Sequence, residues 1–264
     1  ERTEELSTAK SPQQMFGAVI KTYFAQKKGI APENITCVSI MPCMSKKREL
    51  TLPGMDSAGT GQDIDYVLTT REICRLIKAD HIDVSRLPEC DFDDPLGEAT
   101  GAGVIFGASG GVLEAALRTA YHTVTGENPE IGEQSPLKVL RQIGSFKELE
   151  IDIKGVKLHC AALSSLGEAR RLIQAMKRGE CHYDFVEVMA CPGGCINGGG
   201  QPLRPSFQNK PKDCADRDQC LRGYDTRSAI RFSHENKAVQ TLYEEYLGEP
   251  MSDRAHHLLH MEEY

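Results

Sequence analysis

Glu187-Val-Met-Ala-Cys-Pro-Gly-Gly-Cys-Ile-Asn-Gly-Gly-Gly-Gln-Pro202 sets two thiols, Cys191 and Cys195, four residues apart among glycines and almost no charge. Glycine has no Cβ, so a backbone rich in it can close tightly around a bulky group. The apolar run Tyr183–Met189 just before the thiols reads as a buried strand, and α/β proteins place their ligands at the carboxyl ends of such strands. Two cysteines at this spacing also suit a pair of buried thiols or half of a zinc site. Zinc sites pair two knuckles or add histidines, and neither accompanies this one. Soft thiolates without histidine favour an iron–sulfur cluster.

Outward from this stretch, short apolar runs predict three more strands, at 35–41, 64–70 and 156–163. The first of them ends at Pro42-Cys43, a further thiol at a strand end. A helix is predicted over 12–26, with Ser11 as its cap and Pro12 at its first position. Others are predicted at 70–78, capped by Thr70, and at 112–121, 136–143, 167–178, 226–232, 234–247 and after Pro250. Residues 46–61, 82–103 and 208–218 read as irregular and 122–150 as a surface insertion. Strand followed by helix, repeated, is the pattern of an α/β fold with parallel strands. The acidic cluster Glu89, Asp91, Asp93, Asp94 and Glu98 reads as solvated surface. Gly101–Gly111 lacks the Lys-Ser/Thr of a phosphate loop, and predicts close approach to a compact, non-nucleotide group.

The chain has 264 residues, 40% of them hydrophobic, and a formal charge of -7. That length suits one large domain or two small ones. The negative charge disfavours nucleic acid as the main partner, and no apolar run is long enough to predict membrane insertion. Ten cysteines scattered through apolar contexts suit reduced thiols rather than a disulfide scaffold. That predicts a cytoplasmic setting, with the periplasm as the alternative. The start, Glu1-Arg-Thr-Glu-Glu-Leu6, carries no initiator methionine and no signal-peptide character. It reads as part of a longer or processed chain.

Three thiols, Cys43, Cys191 and Cys195, thus follow strands of one α/β pattern, and the fourth that a cubane needs is not evident. Met41-Pro-Cys-Met-Ser-Lys-Lys-Arg-Glu49 and the Glu187–Pro202 stretch resemble two of the three cysteine signatures of the iron-only, or [FeFe], hydrogenase catalytic domain. The resemblance runs nearly end to end, including Ser7–Gln14, Asp65–Glu72, Gly97–Glu114 and Ser233–Asn236. It implies a two-lobed α/β fold of parallel sheets flanked by helices, the cluster buried between the lobes. Residues 1–264 would be the C-terminal part of that domain, with the remaining cysteine signature just upstream of Glu1.

The resemblance also implies a cofactor and its ligands. A [4Fe–4S] cubane would be held by Cys43, Cys191 and Cys195, and Cys195 would bridge to a two-iron unit carrying CO, cyanide and azadithiolate. Lys46, nearly buried, would donate to a cyanide, and Met41, Met189 and Phe106 would wall the two-iron unit. Ser11, Pro12, Gln13 and Gly107 would be further pocket residues, and Ser7 a hydroxyl of the proton path. Glu49 would hold its neighbours rather than the cluster. His234 reads as structural.

The function so implied is reversible oxidation of H2 to protons and electrons, in anaerobic metabolism, with ferredoxin or NAD(P)-linked subunits as electron partners. An upstream segment or companion chain would supply the fourth ligand, so these residues alone would be inactive. Two non-catalytic relatives are the alternative: an iron–sulfur assembly scaffold, or an H2-sensing module. Retention of Lys46 argues against the scaffold, which has no two-iron unit to hold.

Overall fold

Strand β1 (Val38–Met41) and strand β2 (Tyr66–Thr69) pair in parallel, Val38 opposite Tyr66 and Ile40 opposite Leu68. The computed structural model in which they are seen describes residues 3–261 other than 92, 94, 95, 98, 133, 143 and 203–209. The chain divides into two units, Glu1–Glu98 with Lys237–Tyr264, and Ala99–Asn236. Predicted features at Asp94, Pro95, Glu98, Ile143 and Gln208 lie outside the described residues.

In the first unit, helix α1 (Pro12–Val19) runs through a π-helical turn (Ile20–Phe24) into α2 (Ala25–Lys28). Gly17 lets α1 lie against the loop before β2, where a Cβ would stand 2.5 Å from the Asp63 carbonyl. Ser11 begins the helix without capping it by its side chain. A short helix α3 (Ser45–Glu49) follows β1. Helix α4 (Thr70–Ala79) is capped by Thr69 rather than Thr70. One step back, Glu72 falls at the position that completes a capping box: Glu72 N–H donates to Thr69 Oγ1 at 3.2 Å and Thr69 N–H to Glu72 Oε2 at 2.8 Å. Leu50, Ile64 and Val67 form a small core with Met41 and Cys37 packed on it. The other face of the pair leaves Val38, Ile40 and Tyr66 more than half exposed, at 52%, 54% and 62%.

The second unit opens with α5 (Gly101–Val104), a 3-10 turn at Ile105–Gly107 and α6 (Gly111–Thr125). Its sheet is mixed. Strand β3 (Phe146–Ile153) pairs antiparallel with β4 (Val156–Ser164), which pairs parallel with β5 (Phe185–Met189). β3 corrects the expected surface insertion over 122–150. Its inward positions are Lys147, Leu149, Ile151 and Ile153, alternating with exposed residues. Lys154 and Gly155 turn the hairpin with φ of 52° and 86°, the two positive values that a two-residue turn of this hand requires. The helix expected at 136–143 is a 3-10 segment, Pro136–Arg141, whose Leu137 and Leu140 join Leu113, Leu117 and the β3 side chains in the core. Helix α7 (Leu166–Lys177) packs over β4 and β5.

Helix α8 (Lys210–Arg227) is the larger correction, since 208–218 was expected to be irregular and a helix was placed over 226–232. Its inner face is ionic. Asp225, fully buried, accepts two bonds from Arg118 of α6, both 2.9 Å, and one from Arg231 at 2.7 Å. Glu114, also fully buried, is held by Arg118, Arg141 and Arg222. The chain then returns to the first unit. The expected helix 234–247 is α9 (Lys237–Leu242) with a 3-10 turn before it and a π-helical turn after, and α10 (Asp253–Leu259) closes the fold. Leu247, Ala255 and Leu258 pack with Ala18 of α1. Among the described residues no helix is long and apolar enough to cross a membrane.

Candidate metal centre

β5 ends at Met189, and the chain then turns through the two thiols. Cys191 is half-buried and Cys195 exposed. Gly193 and Gly194 adopt φ of 82° and 99°, values that a residue with a Cβ rarely takes. The turn is closed by backbone bonds from Gly194 N–H to the Cys191 carbonyl at 3.0 Å and from Gly198 N–H to the Cys195 carbonyl at 2.9 Å. Ser109 N–H donates to the Gly193 carbonyl at 3.1 Å, and a Cβ on Gly194 would stand 2.6 Å from that same nitrogen. The loop is therefore clasped by the segment ahead of α6.

Helix α8 supports it from another side. Arg217 donates to the Ile196 carbonyl at 2.9 Å. The Cys214 sulfur packs so closely on Gly193 that a Cβ there would meet it at 2.5 Å. Burial pushes the Cys214 thiol up, with Asp218 adding to the rise. Gly107, a predicted pocket residue, lies against Leu221 of α8 and Ile196 of the loop; Phe106 and Met189 are half-buried. The predicted close approach at the glycine-rich stretch is thus made by the protein itself. Glu187 of β5 accepts from Gly110 N–H at 2.6 Å and Leu113 N–H at 2.8 Å, tying the strand to the start of α6.

In the first unit the predicted residues gather on Glu49. Its carboxylate accepts from Ser11 Oγ at 2.8 Å and Gln13 Nε2 at 2.7 Å on one oxygen, and from Lys46 Nζ at 2.6 Å on the other. Gln13 in turn accepts from Ser39 Oγ of β1 at 2.7 Å. Burial alone would raise the Glu49 carboxyl; the bonds from Lys46, Gln13 and Ser11 outweigh it and hold the group below its usual range. Lys46 is less enclosed than expected, its side chain 26% exposed, because it lies along the one-turn helix α3 toward Glu49. Cys43 follows β1 half-buried, and Met41 belongs to the small core. Pro12 is exposed at the first position of α1. Ser7 is exposed, its hydroxyl accepting from Ala9 N–H at 3.3 Å. His234 stacks on His122, and its Nε2 lies 2.8 Å from Asn128 Oδ1.

Among the described residues no three His, Cys, Asp or Glu side chains already form a metal-holding set. The chemistry of the loop nonetheless fits an iron–sulfur cluster: two thiols on a turn whose conformation is set by its backbone, no histidine in the stretch Tyr183–Pro202, and a buried Ser109 hydroxyl without a hydrogen-bond partner in the clasping segment. Comparison with known proteins agrees. Residues 1–199 match the family described as iron only hydrogenase large subunit, C-terminal domain.

The chain belongs to the iron-only hydrogenase family.

Residues 213–262 match the iron hydrogenase small subunit. The NADP-reducing hydrogenase subunit HndD of Solidesulfovibrio fructosivorans is 45% identical over 96% of this chain and 42% of its own length. Iron hydrogenase 1 of Clostridium pasteurianum is 43% identical over 98% of this chain and 45% of its own. The chain thus spans less than half the length of these hydrogenases. Cytosolic iron-sulfur assembly component 3 of Bos taurus is 34% identical over 97% of the chain and 53% of its own length. A solved apo [FeFe]-hydrogenase HydA1 variant from Chlamydomonas reinhardtii superposes with a TM-score of 0.80 at 38% identity, covering 98% of this chain and 70% of that one. The α/β fold of the iron-only hydrogenases is therefore the fold of this chain.

Sequence reasoning missed the residues that hold the thiol loop in place. Glu187 is a carboxylate inside an otherwise apolar strand, and Lys147 a cation at the first inward position of β3. A charge at an apolar position was the available signal. Ser109 and Arg217 act through or upon the backbone and left none.

Proposed function

We propose that this chain is the C-terminal part of an [FeFe]-hydrogenase catalytic domain, and that the enzyme oxidises H2 reversibly to protons and electrons. The observation that carries the reading is the convergence of Ser11, Gln13 and Lys46 on Glu49; the thiol loop taken alone would suit any iron–sulfur protein. When bound, the two-iron unit with its CO, cyanide and azadithiolate supplies the open coordination site for heterolytic H2 cleavage, and the [4Fe–4S] cubane supplies the electron exit. Cys43, Cys191 and Cys195 would hold the cubane, Cys195 also reaching the two-iron unit, with the fourth thiolate from a further segment or companion chain. Glu49, kept ionised by its three donors, orients Lys46 so that its remaining N–H groups are available to an anionic ligand. Met41, Met189 and Phe106 present polarizable apolar surface that excludes water. Ser7 offers an exposed hydroxyl for proton exchange with solvent. Ferredoxin or NAD(P)-linked subunits take the electrons, in the cytoplasm.

The match to the assembly component over 97% of the chain supports a second reading, a scaffold that carries a cubane alone; an H2 sensor is a third. Infrared spectroscopy of the full-length protein, matured with the two-iron cofactor, separates them. Sharp CO and cyanide bands that vanish in Cys195→Ala support the hydrogenase reading, and H2 turnover then distinguishes enzyme from sensor. Cubane absorbance without diatomic bands would overturn it in favour of the scaffold.

A further inference from the structure

We propose that Lys147 and Glu187 are a pair of positioning residues for the Cys191–Cys195 loop, acting from opposite ends on the single peptide group that joins Ser109 to Gly110. The inference rests on the reading that these thiols hold a cluster. The carbonyl of that peptide, on Ser109, accepts from Lys147 Nζ at 2.5 Å, and its N–H, on Gly110, donates to Glu187 Oε1 at 2.6 Å. A cation at the carbonyl and an anion at the amide both act along the peptide dipole, so the two bonds reinforce each other. The next peptide back presents Ser109 N–H to the Gly193 carbonyl inside the thiol loop. Movement of Ser109 therefore moves the loop.

The surroundings leave little slack. Gly110 has φ of 86°, and a Cβ on it would stand 2.5 Å from the Leu140 carbonyl. Lys147 holds that same carbonyl at 2.9 Å, and Gly194 abuts Ser109 nitrogen. Lys147 and Glu187 are each only 7% exposed. Buried charges are costly unless fully bonded, and an apolar residue at 147 would continue the inward series Leu149, Ile151 and Ile153. An ammonium there does what an apolar side chain cannot: it fixes two carbonyls and sets a positive charge behind the thiol loop. Glu187 sets a negative one. Opposite charges behind a cluster shift its potential in opposite senses, a property that packing alone would not produce.

The test uses Lys147→Met, Glu187→Gln and the conservative Lys147→Arg in the full chain, with circular dichroism to show that each folds. In the protein without metal, alkylation of Cys191 by iodoacetamide is read by peptide mass spectrometry. Lys147→Met and Glu187→Gln should each speed it about tenfold, as loss of a charge-assisted bond eases local opening, and Lys147→Arg should restore much of the protection. In protein loaded with the cubane alone, a potentiometric titration read by electron paramagnetic resonance should move negative in Lys147→Met and positive in Glu187→Gln. Alkylation unchanged within about twofold in both variants, or potential shifts of the same sign, would overturn the proposal. If Lys147→Met fails to fold, Glu187→Gln decides alone: alkylation unchanged within about twofold, or a potential that moves negative, overturns the proposal. Failure of the unaltered protein to take up a cubane would sink the cluster reading instead, and the alkylation comparison would remain decisive for the clamp.

Discussion

Replacing Asp225 with asparagine removes the anion at the centre of the buried charge network that ties α8 to α6. Asp225 is fully buried and receives Arg118 through two bonds and Arg231 through a third. Burial alone would raise its carboxyl, but Arg118 and Arg231 outweigh burial and hold it down to about 2, from 3.8. A difference of roughly two units, at about 1.4 kcal/mol each, corresponds to about 2.5 kcal/mol. Asparagine forfeits that and turns an amide donor toward guanidinium donors, which brings the total to about 3 to 5 kcal/mol, the range for breaking a buried ion pair. The group's folded value lies below its unfolded value. Its stabilisation is therefore full above about pH 4 and is lost as the pH falls toward 2. Urea denaturation should show the destabilisation, and hydrogen exchange should place it: amides of α6 and α8 speed up, while those of α1 and α10 stay near their original rates. In a double-mutant cycle with Arg118→Met, the two losses should overlap by more than 1 kcal/mol, because they remove the same interaction. A loss under about 1 kcal/mol, additive effects, or equal acceleration of α10 would refute the reasoning.

The remaining predictions concern the site and its supports. Gly194→Ala should abolish cubane uptake, measured by absorbance after reconstitution, because its Cβ meets Ser109 backbone that cannot move aside. Gly193→Ala should also impair uptake, but a second change, Cys214→Ala, should recover part of it, since the obstructing atom there is the Cys214 sulfur. Glu49→Gln should lower thermal stability by about 2 kcal/mol and release Lys46 and Ser11. The same contribution should fade in the unaltered protein as acid protonates Glu49, whose folded pKa is the lower one. Thr69→Ala, which removes one arm of the capping box, should cost about 1 kcal/mol in a thermal melt and leave cluster uptake intact.

How much could be read in advance depended on what kind of pattern carried the information. β1, β2, β4 and β5 announced themselves as apolar runs, with boundaries off by a few residues. β3 did not, because Lys147 occupies an inward position and Glu148, Glu150 and Asp152 face outward, so the alternation is diluted by charge. α8 was hidden for a related reason. Its buried face includes Arg222 and Asp225, paired with α6, so its periodicity is one of charge and hydropathy is blind to it. The thiols and their spacing were legible because two cysteines on one glycine-rich turn are local in sequence. What holds them still was not, since Ser109, Lys147 and Arg217 reach the loop only through the tertiary fold. Glu49 stood midway: its place beside Lys46 was visible, whereas Ser11 and Gln13 reach it from a distant helix.

The position of α8 after the cysteine loop sets an order of events during synthesis. Cys191 and Cys195 leave the ribosome before the residues that brace them, Cys214 and Arg217, and before Asp225 can lock α8 onto α6. At translation rates of 5–20 residues per second, the roughly 30 residues from Cys195 to Arg227 take about 2 to 6 s to appear. During that interval the thiols lack the Cys214 and Arg217 contacts that brace their loop in the finished fold. The loop gains these braces only after α8 has been made. Slowing translation while that stretch emerges from the ribosome should increase alkylation of Cys191 and Cys195 by a pulsed thiol reagent, whereas slowing it once Arg227 has emerged should not.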